Sequence, residues 1–110
     1  MLKDTLTQLE AKIKTSNNIP DEKKQEYYRL LEQLNSEINV LKETDRETAE
    51  SVSGFTKIST HETTRQDVNP DLIAHSIEGL AESVREFEAS HPRLVSTVNQ
   101  FCAFLSKLGI

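Results

Sequence analysis

Cysteine, proline, glycine and tryptophan are scarce in this chain of 110 residues, which has one Cys, three Pro, three Gly and no Trp. Because Cys102 stands alone, an intramolecular disulfide framework is excluded. Glycine and proline serve turns and interrupt helices. Their scarcity therefore excludes a loop-rich fold and favours helix.

Clustered charge of one sign is also missing. The formal net charge is −5, from 13 Lys and Arg against 18 Asp and Glu. The two signs are mixed throughout: residues 1–69 hold 10 cations and 13 carboxylates, and residues 70–110 hold 3 and 5. A surface that follows nucleic-acid phosphates needs clustered Lys and Arg, so no nucleic-acid partner is expected.

Long hydrophobic runs are absent as well. No window approaches 18 apolar residues, so no membrane-spanning segment is expected, and no apolar stretch typical of a signal peptide follows Lys3 and Asp4. We expect a cytoplasmic protein with no membrane partner. Only 35% of the residues are hydrophobic, which favours thin, elongated helical packing over a thick globular core.

What the chain does have is a regular apolar seam. Between Ile73 and Leu108 apolar residues recur at alternating steps of four and three, and Tyr27 to Leu41 repeats that spacing. This period is typical of helices that pack along a narrow stripe. We predict an all-α fold, with antiparallel helical hairpins or an elongated bundle that is completed by dimerisation. The predicted core or interface residues are Leu31, Leu34, Ile38, Leu41, Ile73, Ile77, Leu80, Val84, Phe87, Leu94, Val98, Phe101, Leu105 and Leu108.

The pattern divides the chain into three segments. Residues 1–44 are predicted to form an N-terminal helical hairpin, with helices over about 2–16 and 20–44 and a weaker continuation of the second to about 52. Residues 45–69 are rich in Ser and Thr, and we predict a polar linker there, either mobile or partly helical. Residues 70–110 are predicted to form a C-terminal helical segment.

Three residues mark the start of the C-terminal segment and one proline interrupts it. Asn69 can cap a helix, Pro70 suits its first position and Asp71 complements its dipole. Pro92 breaks or kinks the helix near 90–92. Two alternatives follow: a tight hairpin of two helices, or one long kinked helix. Gly109 stands where a C-cap glycine is expected.

The end of the chain carries a recognisable string. Residues 87–94 read FEASHPRL, and an amphipathic stretch follows that ends in LSKLGI. This resembles the ending of short bacterial proteins grouped as domain-of-unknown-function family 4404. The resemblance covers residues 70–110 well and 1–42 by pattern only. It implies an all-helical, small, soluble bacterial protein, and it implies no activity.

Candidate chemistry is sparse. Glu88 and His91 have a Glu-x-x-His spacing, which on a continuous helix places a carboxylate and an imidazole on one face, as in di-iron bundles. Glu78, Glu82 and Glu86 are candidate extra ligands that lie off the apolar seam, and a homodimer would supply a second copy of the motif. Because one chain holds a single motif and Pro92 disturbs its helical geometry, no metal site is assigned. Cys102 lies beside Phe101 and is expected to be a small buried hydrophobe. No catalytic or cofactor-binding motif is found, and no cofactor is expected.

A small basic cluster begins the second predicted helix. Lys23, Lys24 and Arg29 are interleaved with Glu22, Glu26 and Glu32. Opposite charges at these helical spacings are typical of a solvated, salt-bridging face.

The expected function is therefore that of a non-catalytic helical module for self-association, as a homodimer, or for interaction with an unidentified protein. The alternative is a helical dimer that binds a metal or small ligand around Glu88 and His91. A third possibility is that residues 44–69 are a docking segment that becomes ordered on a partner.

Overall fold

All regular structure in the computed structural model, which describes residues 1–108, is helical. The prediction of an all-α fold is confirmed. A short 3₁₀ turn, Arg85–Phe87, follows the fourth of five α-helices. The helices are α1 Lys3–Thr15, α2 Asp21–Lys42, α3 Arg46–Thr64, α4 Pro70–Ser83 and α5 Pro92–Leu108. The predicted C-cap at Gly109 falls outside the described residues.

Residues 46–64, which the sequence suggested as a polar linker, form the helix α3. Of the two alternatives, the structure has helix over residues 46–64. The boundary is set by Asp45, whose carboxylate accepts hydrogen bonds from the Thr48 backbone N–H at 3.0 Å and hydroxyl at 2.8 Å. Asp45 and Thr48 interrupt the apolar stripe of the sequence, and the cap that they form starts a new helix at this point. The weak continuation of the second helix to residue 52 is thus a separate helix.

The inner face of α3 is made of small and hydroxyl-bearing side chains. A hydroxyl can be buried where it has a hydrogen-bond partner. For Thr56, Ser59 and Thr63 the partners are carbonyls of the same helix, whereas Thr60 Oγ1 has no partner among the described residues. Thr56 donates to Val52 O at 2.7 Å, and Thr63 donates to Ser59 O at 2.9 Å. The buried residues of α3 are Ala49, Val52, Thr56, Ser59, Thr60 and Thr63.

The apolar seam is buried within one chain. Helix α3 packs against α1, α2 and α4, and α5 packs against α2 and α4. Most of the predicted core residues are buried, whereas Ile77, Phe87 and Leu108 are partly buried against them. The seam is therefore largely covered within one chain, and dimerisation stays a prediction.

The molecule is also less elongated than predicted. Its extents are 38 × 27 × 21 Å and its radius of gyration is 13.0 Å, close to the value of about 13 Å for a compact domain of this length. The molecule is more compact than predicted because residues 46–64 form a helix that packs against α1, α2 and α4. The polar composition of this segment did not indicate such packing.

The C-terminal segment is a hairpin and not one kinked helix. Asn69 caps α4 as predicted, since its Oδ1 accepts from Asp71 N at 3.0 Å and from Leu72 N at 3.4 Å. Helix α4 ends at Ser83, earlier than the break predicted near 90–92, and α5 begins at Pro92. The two helices then pack against each other. Within residues 1–108, no helix is both long enough and apolar enough to cross a membrane.

Candidate functional site

The predicted metal ligands Glu88 and His91 lie in the connection between α4 and α5. Glu88 is exposed and His91 is partly buried. The His91 ring meets Phe87 edge to face, with centroids 5.6 Å apart, and its Nδ1 lies 3.1 Å from Ser90 Oγ. No group of three or more His, Cys, Asp or Glu that could hold a metal ion occurs within residues 1–108. Within the described residues, this connection therefore offers Glu88 and His91 no set of three potential ligands.

Cys102 lies at the contact between α5 and α4. It is buried, and its Sγ is 3.8 Å from the Ile77 carbonyl oxygen. Burial raises the pKa of the Cys102 thiol to about 11. A thiol with so high a pKa is not a reactive nucleophile, so the structure places this residue as a small member of the core.

A hollow between α2 and α5 combines basic side chains with an apolar floor. We call it the α2/α5 groove, and its volume is about 390 Å³. Leu30 and Phe104 are buried at its floor, whereas Ala103 is exposed along its side. The residues that line it are Lys23, Glu26, Arg29, Leu30, Gln100, Ala103, Phe104, Lys107 and Leu108.

The two helices are antiparallel along this groove. Near the start of α2, the Tyr27 ring packs edge to face on Phe104, with centroids 5.3 Å apart. Near its end, Glu37 lies 3.9 Å from Arg93 at the start of α5. Lys107 therefore lies at the same end of the groove as Lys23.

Among the described residues 1–108, no ion pair involves the three cations of the groove. Lys23, Arg29 and Lys107 are all exposed, and Glu26 is the single carboxylate among the lining residues. Within residues 1–108 the ion pairs involve other cations, namely those of Lys24 with Asp21, Arg65 with Glu62, Arg85 with Glu82 and Arg93 with Glu37. A chain of net charge −5 thus has a positive groove with unused hydrogen-bond donors.

Two other hollows differ from this groove in their charges or their extent. The hollow between α1 and α2 has a larger volume, about 820 Å³, but it mixes Glu10, Asp21 and Glu32 with Lys14 and Lys24. Burial, together with the Glu32 carboxylate, raises the pKa of Glu10. This hollow therefore concentrates repelling carboxylates and has no uniform sign.

A hollow at the start of α1 has a volume of about 440 Å³ and gathers Lys42, Arg46 and Lys57 beside Glu50. Arg46 and Lys57 are separated by eleven positions on α3, which corresponds to about 16 Å along the helix. Burial, together with the charges of Lys42 and Lys57, lowers the pKa of the Met1 α-amino group, which also lines this hollow. The hollow is thus a second basic surface for comparison with the α2/α5 groove.

The sequence shows part of the groove, but it predicts a salt-bridging face there and not a binding site. Lys23, Lys24 and Arg29 form a visible cluster, but only Lys24 enters an ion pair, 3.9 Å from Asp21. Lys107 could not be linked to them, because no pattern in the sequence shows that the end of α5 lies beside the start of α2.

Comparison with protein families gives one match. Residues 28–110 match the family described as "Domain of unknown function (DUF4404)". The chain belongs to this family. No curated protein and no solved structure matches the chain.

The DUF4404 match confirms the family resemblance and extends it. It runs through residues 45–69, the segment that the resemblance of the C-terminal string left uncovered, so α3 is part of the family region. Helix α1 precedes that region. Of the groove cations, Arg29 and Lys107 lie inside the matched residues, and Lys23 lies just before them.

Proposed function

We propose that this DUF4404 protein is a non-catalytic protein-interaction module that binds a partner in the α2/α5 groove. The observation that carries the proposal is the set of three unpaired cations around an apolar floor. Exposed cations without an intramolecular partner are available to a ligand, and electrostatic complementarity favours both the specificity and the rate of association.

The burial of the apolar seam supports this assignment, because it leaves the groove as the surface for a partner. Most of its residues are buried by packing within the chain, so the seam itself offers little surface to a partner. The α2/α5 groove, by contrast, joins two helices that the core already fixes in place. A rigid site of this kind binds a partner segment without first paying for its own ordering.

Site-specific photo-cross-linking in growing cells tests the proposal. A benzophenone amino acid replaces Ala103, which is exposed beside the groove, or Ala81, which is exposed on α4 outside it. We expect a discrete cross-linked species from position 103 and none from position 81. Introducing Arg29→Glu should remove the cross-link, since it reverses a charge of the groove without touching the core.

Equal cross-linking from the two positions would contradict the proposal, as would a cross-link at position 103 that survives Arg29→Glu. The control for charge is Lys12→Glu, which changes the net charge equally at an exposed site on α1. A cytoplasmic location is part of the proposal and accords with the single, buried, free cysteine.

Self-association is a separate question that the mass in solution decides. Light scattering after size exclusion should give 12.5 kDa for a chain that works alone. A mass of twice that value would show a homodimer whose interface is a surface other than the buried seam.

Metal or small-ligand binding around Glu88 and His91 stays a prediction of the sequence. Protein purified without a histidine tag should contain less than about 0.1 equivalent of any transition metal if the two residues only shape the connection. Stoichiometric iron, zinc or manganese that is lost in His91→Ala would favour the metal site instead.

A further inference from the structure

We infer that the segment bound in the α2/α5 groove is acidic, with two carboxylates about 9 Å apart on either side of a small apolar side chain. The inference rests on the proposed function and names the chemistry of its partner. It follows from the positions of the groove cations, the shape of the floor and the spacing of side chains in peptides.

The cations define two ends of the groove. Lys23 and Arg29 are separated by six positions on α2, which corresponds to about 9 Å along the helix. Lys107 joins the Lys23 end because α5 is antiparallel to α2. One end therefore presents two ammonium groups, and the other presents a guanidinium that can bind a carboxylate in a bidentate manner.

The floor between these ends admits little apolar volume. Leu30 is 2% exposed and Phe104 is 6% exposed, so both are already packed, and Leu108 is partly exposed beside them. The groove volume of about 390 Å³ is near the lower limit for small-ligand sites, about 300 Å³. A valine- or leucine-sized side chain fits this space, whereas a broad hydrophobic face does not.

A helical peptide can match this pattern. Side chains at i and i+7 of a helix lie on one face about 10.5 Å apart along the axis, with position i+4 between them on the same face. This spacing places one carboxylate at the Lys23 and Lys107 end and a second at Arg29. The apolar side chain between them then faces the floor.

The remaining charges of the groove do not weaken this match. Glu26 is the one carboxylate of the lining and lies between Lys23 and Arg29 along α2. It excludes a continuous acidic run and favours a neutral position between the two ligand carboxylates. Gln100 lines the groove from α5, and its Nε2 donates to Ser96 Oγ at 3.4 Å.

Titration of the full-length chain followed by amide NMR spectra tests the inference. The probe is a capped synthetic peptide of about 12 residues with glutamates at i and i+7 and one leucine at i+4. A second peptide has glutamine in place of each glutamate. We expect a Kd of about 10–100 µM for the acidic peptide at low salt, with shifts at Arg29, Ala103 and Lys107, and at least about tenfold weaker binding for the neutral one.

Charge-reversal variants locate the binding. Arg29→Glu should weaken it at least about tenfold, and Arg29→Lys should retain only part of the affinity, because Lys lacks the fork that binds a carboxylate in two places. Arg46→Glu, in the other basic hollow, and Lys12→Glu serve as matched controls that should change the Kd by less than about twofold. Arg29, Arg46 and Lys12 are exposed, so none of these substitutions changes the buried core.

Several outcomes would overturn the inference. They are equal binding of the neutral peptide, equal weakening by Arg46→Glu and Arg29→Glu, or inorganic phosphate binding as tightly as the peptide. A mass that rises with concentration, and returns to 12.5 kDa in Arg29→Glu, would assign the groove to a second copy instead.

The inference and the proposed function fail in different experiments. A cross-link at position 103 together with no binding of the acidic peptide would refute the partner chemistry alone. Peptide binding without any cross-link in cells would instead refute the interaction function and leave the charge preference of the groove established.

Discussion

The hydroxyl of Tyr27 lies 2.7 Å from Thr63 Oγ1 in the buried interior, and it connects α2 with α3 across 36 positions of the chain. Thr63 donates its own hydrogen to Ser59 O, so Tyr27 acts as the donor between them. The ring of Tyr27 also packs edge to face on Phe101, with centroids 5.8 Å apart. One side chain thus joins three helices.

Alkaline pH should unfold the protein through Tyr27. Burial raises the pKa of Tyr27 to about 12 from its ordinary value of 10.0. The unfolded state loses the phenolic proton at a lower pH than the folded state does. The contribution of protonated Tyr27 to the free energy of unfolding is therefore complete below pH 10 and is lost as the pH rises through 12. Tyr27→Phe should cost about 1 kcal/mol at pH 7 through the lost hydrogen bond, and the gap to the parent should close between pH 10 and 12.

Urea unfolding at several pH values measures both effects. The matched control is Tyr28→Phe, since Tyr28 is the neighbouring ring and only partly buried. A constant difference between the parent and Tyr27→Phe from pH 7 to pH 12 would show that the phenol does not titrate with folding.

Helix α3 should be essential for folding, although its composition is that of a linker. Val52 is fully buried and Ser51 is exposed. An aspartate at position 52 buries an unpaired charge, which costs several kcal/mol, a large part of the stability of a small domain. We expect Val52→Asp to abolish the cooperative thermal transition in circular dichroism, and Ser51→Asp to leave it nearly unchanged.

If both aspartate variants kept the parent transition, residues 45–69 would behave as the polar linker that the sequence suggested. The docking-segment hypothesis would then regain its basis, because a segment outside the core is free to become ordered on a partner.

The two internal glycines should respond oppositely to alanine. A Cβ at Gly54 would meet no atom within 4 Å, whereas one at Gly79 would overlap the ring of Phe55. Gly54→Ala should stabilise the protein by about 1 kcal/mol through helix propensity. Gly79→Ala should destabilise it by about 1 kcal/mol, since overpacking outweighs the same gain.

Denaturant titrations give both free energies of unfolding. In the double variant Phe55→Leu with Gly79→Ala, the smaller side chain at position 55 should recover part of the stability that Gly79→Ala loses, if overlap with the Phe55 ring causes that loss. Stabilisation by Gly79→Ala alone would mean that Phe55 moves aside freely and that α3 and α4 do not depend on this contact.

Glu10 and Glu32 should repel each other at neutral pH. Burial first, and the Glu32 carboxylate second, raise the pKa of Glu10 above its ordinary value of 4.5. The folded state therefore binds this proton more tightly, and the penalty present at pH 7 disappears as the pH falls below 4.5. Glu10→Gln should add about 0.3 kcal/mol at pH 7, or about 2 °C in Tm.

Melting curves at pH 7 and below pH 4 check this prediction, with Glu22→Gln as the control at an exposed site on α2. The gain from Glu10→Gln should vanish at the lower pH. A gain of equal size at the two pH values would assign the effect to packing and not to charge.

The sequence predicts this fold well where packing depends on large apolar side chains. The spacing of Leu31, Leu34 and Ile38 identified a buried face, and Asn69 with Pro70 identified the start of α4. The period alone did not reveal that the partner of these faces belonged to the same chain. Which helices meet is a property of the whole arrangement, and a heptad pattern fits an intermolecular contact equally well.

Helix α3 and the groove were missed for different physical reasons. Thr56 and Ser59 are polar by composition, yet each donates its hydroxyl hydrogen within its own helix and so can be buried. Asp45 interrupts an apolar stripe, but it does so as a cap. The groove needs Lys107 beside Lys23, and this proximity exists only after the chain has folded.

The edge-to-face contact of Tyr27 with Phe104 links the floor of the α2/α5 groove to the interior. The groove exists only while α2 and α5 remain paired, so a compound that occupies it must also delay unfolding of the whole chain. A ligand at 100 times its Kd would add about 2.7 kcal/mol to the native state. Dye-based melting screens of metabolites and short peptides can therefore find occupants of the groove before any partner is known.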